Sequence, residues 1–503
     1  MKYLMCTYNI KWKSLRCFVI FFIVCNASQA QAQFNEKNLK LKLNKVADSL
    51  TTNLKPWKVP SSIFKVEDFG ALSDGQTINT IAIQNAIDKC AASGGGTVMF
   101  SKGDYVTGTI QLRSNTMLEI AEGARILGST NLKDYPEKVE SFKSVMSEVH
   151  RYRLSLIYAE RLTNIGIRGK GEIYFRGEKN NFPGPETIGS IEGRPFGIRM
   201  IECKNITVQD INLKNSAAWM QNYLYCENLI IDRITVFNHA NFNNDGIDID
   251  GCKNVIVRNC FINSEDDAMC LKGASMKTTQ NMLIENSTFI STCNALKIGT
   301  DTQGDFKNII ARNLVLGGIP TTLESMKGHE ASTGITLATV DGGNVENIFI
   351  SNVIINQSRC PIFLRVGNRG RVMHGMQKPV PGHIKNIIIK NTKGSNNLRQ
   401  GSFISGIKGY PIENVIIRNL NIKMQGGGTV EMADALVNND ENSYPDAHQF
   451  SRDGLPSYGF YFRYANNIML KKIKITPKAE DKRPMFKSGG NVQGVITEKS
   501  EIQ

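Results

Sequence analysis

One short phrase recurs along most of this chain: an asparagine, then alternating apolar residues, then Asn or Asp, then further apolar positions. It reads NITVQDINL from Asn205, NLIIDRITV from Asn228, NVIVRNCFI from Asn254 and NMLIENSTF from Asn281. It continues as NIIARNLVL from Asn308, NIFISNVII from Asn347, NIIIKNTKG from Asn386, NVIIRNLNI from Asn414 and NIMLKKIKI from Asn467, with an earlier copy, NIGIRGKGEI, from Asn164. Successive copies lie 23 to 28 residues apart where nothing is inserted, and 39 or more where a loop intervenes. Repeats of this size, built from short β-branched strands without a helix, predict an all-β solenoid in which each repeat is one coil of a parallel β-helix. The asparagines fall at turns, where they tolerate left-handed backbone and can stack their amides. A leucine-rich repeat is the rival, but its leucine spacing is absent.

In such a solenoid, matching points of neighbouring coils sit one strand spacing apart, about 4.8 Å. The segments after the recurring phrase align as Asp245-Gly-Ile-Asp248-Ile-Asp250, Asp267-Ala-Met-Cys270-Leu-Lys272 and Asn294-Ala-Leu-Lys297-Ile. The next two coils give Thr333-Gly-Ile-Thr336-Leu-Ala338 and Cys360-Pro-Ile-Phe363-Leu-Arg365. Alternation sends Ile247, Ile249, Met269, Leu271, Leu296 and Ile298 inward. It sends Asp248, Asp250, Lys272, Lys297 and Arg365 outward on one face. Asp245, Asp267 and Asn294 share a column at the turn, with Asp266 beside it.

The remaining chain frames this region. Lys2, Lys11, Lys13 and Arg16 precede an apolar run from Cys17 to Cys25, and Ala30-Gln31-Ala32 offers a cleavage site. Residues 1–32 therefore read as a signal peptide for a secreted or periplasmic protein. The apolar run is too short to span a bilayer, and no later segment reads as a membrane span. Residues 33–60 are a polar, lysine-rich leader, and 61–503 one parallel β-helix domain. Thr80 reads as an N-cap, Ile83, Ala86, Ile87 and Cys90 as one helical face, and Gly94-Gly95-Gly96 as the stop. This helix is placed to cap the open end of the β-helix. The glycine run lacks the Lys-Ser/Thr of a phosphate loop. Residues 425–458 form a polar insertion too long for an ordinary turn.

Formal net charge is +14, of which about +10 remains once the basic start is removed. A basic exported protein points to an anionic partner, and an acidic polysaccharide fits. Nucleic acid does not, because no basic helix or aromatic-interleaved patch stands out. Eight cysteines remain outside the signal segment: Cys90, Cys203, Cys226, Cys252, Cys260, Cys270, Cys293 and Cys360. There is no C-x-x-C pair for zinc, and several fall at matching points of successive coils, so buried thiols are favoured over bridges. A monomer is expected.

Carboxylates one to two coils apart repel, so at least one should hold a proton near neutrality. A protonated acid beside ionised ones is what glycoside hydrolysis needs. The nearby cations, Lys297 and Arg365 above all, are candidates for a substrate carboxylate. Glu265 reads as a turn residue, and His239 and His374 as surface or turn histidines.

At these residues the chain resembles the polygalacturonase-like glycoside hydrolases of family 28. The resemblance runs from about Phe64 to Lys474. It includes FGALSDGQT with IQNAID, GGGTVMF, Gly108-Thr109-Ile110-Gln111-Leu112, Arg194-Pro195 and Asn215-Ser216 with Trp219. Its specific part is Asn243-Asn244-Asp245 for the family's Asn-Thr-Asp, and Asp266-Asp267 for its paired aspartates. The resemblance implies a right-handed, single-stranded, pectin-lyase-like parallel β-helix acting on galacturonate-containing pectins. It implies Asp266 as general acid, with Asp245 and Asp267 activating water in a single-step inverting hydrolysis. Asn243, Asn294, Lys297, Arg365 and Lys272 become the substrate-binding candidates. Neither a cofactor nor a metal is expected.

Two departures mark this member. The family's Gly-His-Gly falls on Cys293-Asn294-Ala295, and its Arg-Ile-Lys on Thr336-Leu337-Ala338. The acids are kept while the galacturonate clamp is replaced, so a rhamnogalacturonan or other branched pectic glycan is expected rather than plain homogalacturonan. Two other readings stay open: a β-helix polysaccharide lyase, and a carbohydrate-binding solenoid without activity.

Overall fold

The computed structural model describes residues 34–498 apart from 139, 150–153, 185–191, 319–329 and 451–453. The signal-peptide reading of residues 1–32 lies outside the described residues. The described residues from Glu36 onward form one compact unit. Its strands pair in parallel, coil upon coil, into a parallel β-helix.

One sheet of 12 strands takes a single strand from each coil, and its spatial order follows the chain without crossover. Its central strands are Gln221–Leu224, Ile247–Asp250, Met269–Lys272, Asn294–Ile298, Ala331–Thr339, Ser358–Val366, Ser402–Ser405 and Phe460–Arg463. A second, 21-stranded sheet carries the recurring phrase. There Val255, Met282, Ile309, Ile348, Ile387, Val415 and Ile468 stand in register on successive coils. All seven are buried in the apolar core that fills the helix. Each coil alone has too little apolar surface to fold, and stacking supplies the rest.

The asparagines bear out the turn reading. Asn254, Asn281, Asn308, Asn347, Asn386, Asn414 and Asn467 have φ between 53° and 62°. Each side-chain amide in this series donates to the side-chain oxygen of its counterpart one coil earlier, as Asn281 does to Asn254 at 3.3 Å and Asn308 to Asn281 at 3.2 Å. A second ladder joins Asn286, Asn313, Asn352, Asn391 and Asn419. The eight cysteines are free thiols, and all but Cys293 are fully buried.

The two longest helices among the described residues pack against the coils. Helix α2, Thr80–Ala92, buries Ile83, Ala86, Ile87 and Cys90 as its spacing predicts. Thr80 is its first residue rather than its cap; its hydroxyl accepts from the Gly108 amide at 2.8 Å, and Asn79 holds the cap position. Within the leader segment lies helix α1, Glu36–Asn53, with Leu39, Leu43, Ala47 and Leu50 buried. It packs across the strands that carry Asn254, Asn281, Asn308 and Asn347. No helix among the described residues is long and apolar enough to cross a membrane.

Candidate active site

The repeat alignment holds in space. Ile247, Met269, Leu296, Ile335 and Ile362 pair on successive strands, which aligns Asp245, Asp267, Asn294, Thr333 and Cys360 two residues earlier. Asp248, Cys270, Lys297, Thr336 and Phe363 form the next outward column, and Asp250 pairs with Lys272. Ile247, Ile249, Met269, Leu271, Leu296 and Ile298 fill the core, as alternation requires. The outward residues Asp248, Asp250, Lys272, Lys297 and Arg365 are themselves buried, because loops cover this face. Asp248 and Asp250 thus sit on a strand, and Asp245, Asp266 and Asp267 in the turns that lead into adjacent strands, in a site of low dielectric where charge differences between neighbours are large.

Asp267 is the best-supported anion. Its carboxylate accepts from Asn294 at 2.7 Å and from the Lys297 ammonium at 2.8 Å. Burial pushes its pKa up, but Lys297 and Lys272, with these hydrogen bonds, bring it below the ordinary carboxylate range. Asp266, half-buried beside it, moves the other way. Burial and the neighbouring Asp267 charge raise its pKa, against the opposing pull of both lysines. Its Oδ1 accepts the Asp267 amide at 2.9 Å, and Asn243 reaches its Oδ2 at 3.5 Å. Asn243 is held in left-handed backbone, and its side-chain oxygen accepts from Arg194 at 2.9 Å.

Asp245 is raised well above the usual range by burial and by Asp248 and Asp266. Its Oδ2 lies 3.7 Å from Lys272, and its buried Oδ1 makes no hydrogen bond. Asp248 is 3.4 Å from Lys272 and is pushed up to about 7 by burial, with Lys272 opposing. Burial likewise pushes Glu265 to about 7. The cluster therefore divides into one firmly ionised carboxylate, Asp267, and neighbours that hold protons more readily. Such a division suits general acid and base roles.

Donor atoms of Asp266, Asp267 and Cys293 lie within 4.8 Å of one another, a spacing that a metal ion can bridge. The Cys293 thiol is raised well above its usual pKa by burial and by the Asp267 and Asp266 charges, so it stays protonated. Lys297 already neutralises Asp267 at this point, which opposes a second cation.

The candidate binding residues divide. Asn243, Asn294, Lys297 and Lys272 surround the acids, although both lysines are engaged by protein carboxylates. Arg365 does not join them. Its register partner is Ala338, and its guanidinium donates to Ser405 at 3.1 Å and to the Asp440 carbonyl at 3.2 Å. Alignment placed it on the right face but could not show that the insertion covers it. His239 hydrogen bonds Asn263 at 2.8 Å.

The insertion also supplies residues that repeat reasoning missed. Asp446 comes within 3.8 Å of Lys297, and the Tyr444 ring centre is 6.0 Å from the same ammonium. The Tyr444 hydroxyl accepts from Thr300 at 3.0 Å. Trp219 lies against Lys272, ring centre to ammonium 4.4 Å. Only the length and polarity of the insertion signalled it, because a loop has no register to align.

Comparisons with known proteins bear on the family and the fold. The family model "Glycosyl hydrolases family 28" matches residues 90–441. A probable polygalacturonase of Vitis vinifera is 25% identical over 381 residues, covering 71% of this chain and 73% of that protein. An exo-poly-alpha-D-galacturonosidase of Dickeya chrysanthemi is 23% identical over 405 residues, covering 69% and 65%. The solved structure of a hyperthermoactive exopolygalacturonase from Thermotoga maritima shares the fold, with a TM-score of 0.67 at 19% identity over 86% of this chain and 96% of that one.

Proposed function

Since this chain belongs to family 28 of the glycosyl hydrolases and is therefore a glycoside hydrolase acting on O-glycosyl bonds, we propose that it cleaves a galacturonate-containing pectic polysaccharide of the rhamnogalacturonan type. Asp266 is the general acid that protonates the leaving oxygen. Asp267 is the base that takes a proton from water, while Asp245 orients that water through its free Oδ1. The two proton transfers accompany a single displacement at the anomeric carbon, so the acid ends ionised and the base protonated.

The observation that carries this reading is the opposed protonation of adjacent carboxylates. Asp267 is bound by Lys297 and Asn294, and Asp266 is raised beside it. The substrate reading is supported by Thr336-Leu337-Ala338, where the family's two cations are absent and the Thr336 hydroxyl serves Asn294 at 3.1 Å. Inversion comes from the family resemblance. The first 32 residues act as an export signal, which delivers the enzyme to its polymer outside the cytoplasm.

Asp266→Asn tests the reading. Replacing a general acid costs about 10²- to 10⁴-fold in rate. Reducing-end release from rhamnogalacturonan should fall by that amount with circular dichroism and Tm unchanged. Retained turnover would remove Asp266 from its role. Proton NMR of the first product reports the anomeric configuration, and retention would overturn the single displacement.

A further inference from the structure

The wall of the site on the insertion side is built from Lys297, Tyr444 and Asp446. Lys297 is held between two carboxylates, Asp267 at 2.8 Å and Asp446 at 3.8 Å. Lys272 is likewise shared by Asp245 and Asp248. Further along the same face, Arg369 pairs with Asp341 at 2.5 Å and Arg371 with Asp301 at 3.1 Å. Each of these cations already faces a protein carboxylate. Around the two lysines stand five carboxyl groups, Asp245, Asp248, Asp266, Asp267 and Asp446, so neither ammonium is left free to receive a further anion. A uronate carboxylate entering here would meet like charge in a buried setting, the arrangement by which sites reject a ligand.

Asp446 also offers something to a neutral sugar. Its Oδ1 is buried, faces Lys297 at 3.8 Å and makes no hydrogen bond, which leaves it an acceptor for a hydroxyl donor. Beside it Tyr444 keeps 43% of its surface exposed while Thr300 fixes its hydroxyl. An exposed aromatic face next to buried carboxylate acceptors suits the C–H face and hydroxyls of an uncharged pyranose.

We propose that Asp446 is a specificity-determining residue, and that the wall it forms with Lys297 and Tyr444 receives a sugar without a carboxylate, so that the bond cut has a neutral sugar on the insertion side. This rests on the hydrolase reading above and narrows it: the polymer is acidic, but the ring against this wall is not.

The test compares rhamnogalacturonan oligosaccharides, in which neutral and acidic sugars alternate, with oligogalacturonides, in which every sugar is acidic. New chain ends are identified by mass spectrometry, for the wild type and for Asp446→Asn, which preserves shape and removes charge. Like-charge exclusion predicts kcat/KM on oligogalacturonides at least about 100-fold lower, with one and the same neutral end at every cut in the alternating series. Asp446→Asn should narrow that ratio at least about tenfold, because the excluded charge is gone. A merely structural role would lower both rates together and leave the ratio unchanged, and that result overturns the proposal. Equal or faster cleavage of oligogalacturonides by the wild type overturns it as well, while leaving the hydrolase reading intact. Cleavage of neither series defeats both.

Discussion

At position 297 this chain places a lysine on the strand beside the paired aspartates, and the ammonium sits 2.8 Å from Asp267. An opposite charge so close lowers a carboxyl pKa by about one to three units. Removing it in Lys297→Met should therefore raise the Asp267 pKa. As the proposed base, Asp267 must be ionised to act, so the acidic limb of kcat/KM should move to higher pH by about one unit or more. A pH–rate profile that keeps its acidic limb would separate Lys297 from the base. The lysine's column was legible in the sequence, since the repeat converts spacing into adjacency. Depth was not. Arg365 occupies an equally outward position, yet its guanidinium is used by Ser405 and Asp440, because alternation tells which way a side chain points and not what lies over it. Tyr444 and Asp446 lay further out of reach, because they come from a loop.

The element that unites the coils is the asparagine ladder, which was read from recurrence alone. Each rung combines a left-handed backbone, which costs an ordinary side chain about 1–2 kcal/mol, with an amide bond of about 1 kcal/mol. Asn281 has φ 55°, donates to Asn254 and accepts from Asn308. Asn281→Ala should thus destabilise by about 2–3 kcal/mol, and Asn281→Gly by less, since glycine recovers the backbone term. Denaturant midpoints of the two variants check this; equal losses would mean that the backbone conformation contributes nothing. Helix α1 was missed as an element for a compositional reason. Its buried Leu39, Leu43, Ala47 and Leu50 have helical spacing, but lysines and asparagines between them made the segment read as polar leader. At Thr80 the opposite happened: a good capping residue entered the first turn, and its hydroxyl went to the Gly108 amide.

For the molecule as a whole, the formal net charge is +14, about +10 without residues 1–32, while the site is rich in carboxylates. The basic body attracts an acidic polymer over long range, whereas the buried cluster is shielded from salt. Raising NaCl from about 50 to about 500 mM should therefore raise KM for long rhamnogalacturonan by about tenfold while leaving kcat nearly constant. A salt-independent KM would mean that the surface charge does not serve the substrate. The fold at this scale was the most legible part, because a ten-fold repetition of one phrase leaves few alternatives to stacked coils. The insertion adds a consequence of a different kind. It leaves the solenoid after the strand that ends at Gly426 and rejoins it at Phe460, far along the chain from Asp245, Asp266 and Asp267. On the proposed roles, the chemistry and the selectivity are written in separate stretches of the gene, so that exchanging one cassette would retarget the enzyme to another sugar while every strand beneath it stays as it is.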